Sequence, residues 1–154
     1  MIPAFHLAYP VSDLKLAQTF FVETLGASLG RQSERWVDLN FFGHQISLHL
    51  SDDPDLNCSH NSVDGDNVPT LHFGCVLPWE EWTFHYERLV KRGAHFIIDK
   101  KIRFEGKTGE QGTYFVRGPC GLSLEFKSFK DPNQLFATDQ EKPCSGSART
   151  TSMP

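Results

Sequence analysis

Apolar and polar positions along the chain change period in the same order twice. Residues 4–11, AFHLAYPV, alternate as a strand that ends at Pro10. Leu14, Ala17, Phe20, Phe21 and Leu25 then recur at helical spacing, behind a cap at Ser12 or Asp13 and ahead of Gly26. Three strands follow, at 28–33, 35–42 and 44–50, with Gly43 as the turn between the last two. After a polar stretch the order returns. A strand spans 69–77, and a helix runs from Trp79 to Arg92 and closes at Gly93. A strand at 94–99, an excursion at 100–110, and strands at 111–118 and 121–129 complete the second half.

Each half therefore reads strand, helix, three strands. This is a repeat of pattern with little identity, and it predicts an α+β fold of paired βαβββ modules forming a curved mixed sheet. Two such modules would carry their helices outward and enclose a cleft between the sheets. Module one covers 4–50, a linker 51–68 and module two 69–128, together one domain over 1–128. The linker, SDDPDLNCSHNSVDGDNV, is almost free of core residues and reads as a long loop. Residues 129–154 read as a polar extension with an anchor at Leu135 and Phe136.

Charge and composition narrow the partners. The net charge is -4 and the cations are scattered, which argues against nucleic acid and leaves a small molecule as the expected ligand. No apolar run approaches the ~20 residues of a membrane span, and the first residues lack the features of a signal peptide. A cytoplasmic location is the expectation. The cysteines, Cys58, Cys75, Cys120 and Cys144, are far apart with no C-x-x-C pair, which suits reduced thiols and argues against a cysteine zinc site.

The candidate chemistry lies in the strands. In GHQISLHL, Gln45, Ser47 and His49 share the face opposite Ile46, Leu48 and Leu50. His6 lies in the first strand of module one, and His72 at the corresponding place in module two. Glu125 lies in the last strand. Each is flanked by apolar neighbours: Phe5 and Leu7, Leu71 and Phe73, Leu124 and Phe126. On one concave surface the three can converge. Two histidines and a carboxylate, with positions left open, suit a first-row divalent ion such as Fe, Mn, Zn or Ni. His49 or Gln45 could add a fourth ligand or act as acid and base toward the substrate. Arg103, in the excursion, could clamp a substrate carboxylate through two parallel hydrogen bonds. Tyr114 could lie on either face of its strand.

FHLAYPVSDLKLAQTFFVETLG, HFGCVL and GPCGLSLEFK resemble the first, fifth and eighth strands of vicinal oxygen chelate proteins, with the first helix. That superfamily includes glyoxalase I, extradiol dioxygenases, and fosfomycin- and bleomycin-resistance proteins. The resemblance covers about residues 4–128. It implies paired βαβββ modules and metal ligands at His6, His72 and Glu125. The glyoxalase-type glutamate on the fourth strand has no match, since that row offers Gln45, Ser47 and His49. The reading that follows is a metal-dependent enzyme whose substrate chelates through adjacent oxygens. Extradiol-dioxygenase-like ring cleavage is slightly preferred, with His49 as proton acceptor and Tyr114 as a hydrogen-bond partner of a metal-bound oxygen. Glyoxalase-like isomerisation or addition competes closely. A metal-independent binding protein of the bleomycin-resistance kind is the alternative from a different class. The modules could pair within one chain or across a homodimer.

Overall fold

A computed structural model describes residues 3–53 and 59–139. Cys58, Cys144 and residues 140–154 of the extension lie outside the described residues. Strand β1 (His6–Val11) leads to helix α1 (Leu14–Thr19), which continues as a π-helical segment over Phe20–Leu25. The Asp13 carboxylate caps α1 by accepting from the Leu16 amide at 2.8 Å. Gly26, at φ 85°, ends the segment in the left-handed conformation. Strands β2 (Ser28–Gln32), β3 (Trp36–Phe41) and β4 (His44–Leu50) complete the first module. The second has β7 (Phe73–Val76), α2 (Trp79–Lys91), β8 (His95–Arg103), β9 (Gln111–Arg117) and β10 (Ser123–Ser128).

The two sheets have matching topology, β1-β4-β3-β2 and β7-β10-β9-β8. In each, the first strand pairs parallel with the last and the remaining pairings are antiparallel. β1 runs through Pro10, which stands opposite His49, and does not end there. It is an edge strand, where a residue without an N–H is tolerated.

Both sheets and both helices contribute to one core. Tyr9, Phe21 and Phe41 belong to the same buried cluster as Trp82, Tyr114 and Phe126. Phe41 meets Phe126 with centroids 6.1 Å apart, and Tyr9 meets Phe73 at 5.4 Å. The buried Trp82 donates its indole N–H to the Phe126 carbonyl at 3.0 Å. It lies against β9 because position 112 is glycine; a Cβ there would stand 2.6 Å from its ring. Arg88 of α2 and Arg92, which caps it, donate to the carbonyls of Leu25 and Thr24, at 2.9 Å each, and tie the end of the π-helical segment to the second module.

This arrangement corrects the expected enclosed cleft. Within one chain the modules meet through their apolar, helix-bearing sides, and each sheet turns its polar row away from the shared core.

Three further differences have physical causes. Residues 60–68, expected as loop, form with Pro69 a hairpin of β5 (His60–Val63) and β6 (Asp66–Pro69) around Asp64-Gly65, whose φ values are 47° and 82°. β8 extends to Arg103, beyond the expected end at 99, because it follows β9 through a shift in register. Phe136 is 87% exposed and does not anchor the tail. The short 3-10 turn Pro132–Phe136 is held instead by Gln134, whose side-chain oxygen accepts from the Gly109 amide at 2.9 Å.

Candidate metal centre

Strand register places Glu125, Thr113, Lys127 and Arg103 on the polar face of the second sheet, and His72, just ahead of β7, reaches Glu125 there. Glu125 stands opposite Gly74 and Phe115, and Lys127 opposite Val76 and Thr113. Glu125 is 5% exposed, unusual for a carboxylate, and is surrounded by donors. The Thr113 hydroxyl donates to its Oε1 at 2.7 Å. Oε2 lies 3.3 Å from His72 Nε2 and 3.2 Å from Lys127 Nζ, and Oε1 lies 3.9 Å from Arg103 Nη1. Burial works to raise the Glu125 carboxyl, but His72, Lys127 and Thr113 together hold it below the ordinary carboxylate value.

The orientation of His72 is fixed by its other nitrogen. Nδ1 lies 2.6 Å from the Pro69 carbonyl oxygen, at the end of the hairpin. A carbonyl accepts only, so Nδ1 carries a hydrogen and Nε2 faces the carboxylate. Without a second proton, two acceptors would confront each other at 3.3 Å. The Glu125 carboxylate, with help from Pro69 against the cost of burial, raises the affinity of His72 for that proton. A metal ion can take the proton's place: a neutral imidazole ligand commonly donates its other N–H to a backbone carbonyl. The 3.3 Å separation is also within what two ligands with bonds of about 2.1 Å span. The donor pair fits a divalent ion.

The polar face of the first sheet carries the other expected residues. Register aligns His6 with Gln45 and Asn40, Ala8 with Ser47 and Asp38, and Pro10 with His49 and Trp36. His6, Gln45 and His49 are exposed. Asp38 is 7% exposed and accepts from the Ser47 hydroxyl at 2.5 Å and from Arg31 at 3.1 Å. The Ser47 bond is the main reason its carboxyl lies below the ordinary value. Gln45, Asn40, Asp38, Arg31 and His44 line a cavity of about 320 Å³ on this face.

His72 and Glu125 are thus brought together. His6 stands on the other sheet, and among the described residues no three His, Cys, Asp or Glu side chains gather closely enough to hold one ion. Two expected roles are corrected. Tyr114 is fully buried on the helix side of β9, its hydroxyl 2.7 Å from His85 Nδ1, so it does not face Glu125. Arg103 reaches the site, but its Nε and Nη2 both donate to Asp66 Oδ2, at 3.2 and 2.8 Å, so its fork is already occupied.

The family model described as the Glyoxalase/Bleomycin resistance protein/Dioxygenase superfamily matches residues 4–126. The chain belongs to this superfamily. A solved structure described as a glyoxalase/bleomycin resistance protein/dioxygenase from Alicyclobacillus acidocaldarius is 34% identical, with 87% of this chain and 96% of that chain covered and a TM-score of 0.75. The fosfomycin resistance protein FosX from Listeria monocytogenes is 16% identical over 87% of this chain and 98% of its own, with a TM-score of 0.62. TioX from Micromonospora sp. ML1 is 19% identical over 82% and 98%, with a TM-score of 0.59. These last two show the fold alone. No curated protein matches the chain.

Sequence reasoning missed Asp38, Thr113, Lys127, Lys101 and Asp66. Asp38 had a readable signal, since it sits between Val37 and Leu39 as Glu125 sits between Leu124 and Phe126. Asp66 had none, lying in a polar stretch whose pairing is set by tertiary contact.

Proposed function

We propose that the chain is a metal-dependent enzyme of this superfamily. His72 and Glu125 of one copy and His6 of a second copy would hold a divalent ion. The observation that carries this reading is the His72–Glu125 pair: a buried carboxylate and an imidazole nitrogen aimed at each other, with the imidazole fixed from behind by Pro69. When bound, the ion would supply Lewis acidity to a substrate chelating through two adjacent oxygens. The exposed polar row of the first sheet would cover this site in a homodimer, since the two polar rows of one chain do not face each other. Gln45 would position the substrate, and His49 would accept or return its proton.

Two histidines and a carboxylate suit Fe(II) and oxygen-dependent ring cleavage, and the absence of a fourth-strand glutamate supports that branch. The burial of Tyr114 favours the second reading, non-redox isomerisation or addition, because it removes the hydrogen-bond donor expected beside a ring-cleaving site. A metal-free binding module has no need of the His72–Glu125 pair.

Elemental analysis of protein purified without chelators, beside H72A and E125Q, tests the proposal. About one divalent ion per chain, lost in both variants, is expected. No ion after loading with Fe, Mn, Zn or Ni would overturn it. Oxygen uptake with catechol by the iron-loaded protein would select ring cleavage; its absence would select the non-redox reading.

A further inference from the structure

The polar face of the second sheet is positively charged on a chain whose net charge is -4. Lys101, Arg103 and Lys127 meet two carboxylates there, Asp66 and Glu125. The three cations have different freedom. Arg103 is 3% exposed and spends Nε and Nη2 on Asp66, so that edge of its fork is taken and it acts as a fixed charge. Lys101 and Lys127 are 38% and 34% exposed. Lys101 Nζ lies 3.0 Å from Asp66 Oδ2, and Lys127 Nζ lies 3.2 Å from Glu125 Oε2. An ammonium has three hydrogens to donate, so each lysine retains donors for a ligand at the opening.

Lys127 leans on the same carboxylate oxygen that faces His72. It cannot keep that place once a divalent cation shares Glu125, because like charges at such separations repel strongly in a partly buried site. Its four-carbon stem lets it turn to the opening without moving the strand.

We infer that Lys127 and Lys101 form an anion subsite beside the ion position, and that the substrate carries an oxyanion, a carboxylate or a phospho group, next to its chelating oxygens. Lys127 is the exchangeable partner: it neutralises Glu125 in the empty site and the substrate oxyanion in the loaded one. Arg103, held by Asp66, supports the field from behind. This inference rests on Glu125 being an ion ligand, as proposed above.

The test uses the full chain and two probes, Mn²⁺ and methylphosphonate, followed by calorimetry, with acetate in place of methylphosphonate as the carboxylate arm. K127M, with K127Q as a second variant, is expected to bind Mn²⁺ about tenfold more tightly than the natural chain, since a competing cation is gone. Its Mn²⁺-loaded form is expected to bind methylphosphonate or acetate at least about fivefold more weakly. K101M is expected to weaken the anion and leave Mn²⁺ within about twofold, while K91M on α2 matches the natural chain. Whichever of methylphosphonate and acetate binds more tightly names the substrate group. Unchanged anion affinity in K127M and K101M, with Mn²⁺ still bound, would overturn the subsite and leave the metal reading standing. Absence of binding by Mn²⁺ and by Fe, Zn and Ni tried in its place, or equal affinity in the natural chain and E125Q, would overturn both.

Discussion

Gly74 lies directly beside Glu125 in the parallel β7–β10 pairing, so close that a Cβ on residue 74 would stand 1.7 Å from the Glu125 carbonyl oxygen. No side chain fits that space, and the obstacle is backbone that cannot turn aside. Gly74→Ala is therefore expected to push β7 from β10 and lower stability by about 1–3 kcal/mol, as overpacking does. The shift would fall on the strand that carries Glu125, so metal retention is expected to drop as well. Urea unfolding and metal content of the variant check both. A G74A protein with unchanged midpoint and metal content would contradict this strand pairing.

His85 gives the stability a pH dependence. Burial, aided by Arg88, lowers its pKa from 6.5 to about 4. The unfolded chain takes up a proton near pH 6.5, whereas the folded protein resists it to about pH 4. Unfolding thus binds a proton within that window, and stability is lost as pH falls through it. The full difference is on the order of 3 kcal/mol. His85→Phe, which keeps the aromatic contact with Phe42 and Phe126, is expected to flatten the curve between pH 6.5 and 4. Denaturant midpoints at several pH values measure this; identical slopes for both proteins would refute the assignment.

Asp66 joins the hairpin to the second sheet. It receives Arg103 and Lys101 on one oxygen, and these cations outweigh the effect of burial to hold its carboxyl below the ordinary value. Val68 on the same hairpin packs with Ile98 and Phe115. Asp66→Ala leaves the buried Arg103 short of a partner, and a loss of roughly 3 kcal/mol is expected. Hydrogen exchange at the amides of residues 60–68 is expected to accelerate more than elsewhere. Exchange no faster than in the natural chain would show that the apolar contact alone holds the hairpin.

Much of this architecture is legible in the sequence because two helices and eight strands alternate with clear periods. The His72–Glu125 pair is legible for the same reason, as each polar residue interrupts an apolar alternation. Tyr114 is not. Gln111 to Val116 are all buried, because the core lies on one side and the hairpin and its neighbours on the other, so alternation cannot reveal the face. The hairpin itself left a short signal, Asp64-Gly65, which the polar residues around it obscured. The separation of His6 from His72 was beyond pattern altogether: periodicity gives the face of a strand, and the packing of Phe41 on Phe126 and Tyr9 on Phe73 decides which way the two faces turn.

In the proposed site, one ion is held by His72 and Glu125 of one chain and His6 of another. The decisive experiment mixes H6A and H72A chains, refolds them together and measures bound metal. Neither variant alone is expected to retain metal. In a mixed dimer, one of the two sites receives His6 from the H72A chain and His72 with Glu125 from the H6A chain, so metal binding is expected to return in the mixture. Metal retained by H6A alone would contradict the role of His6, and failure of the mixture to recover metal would contradict a site shared between copies.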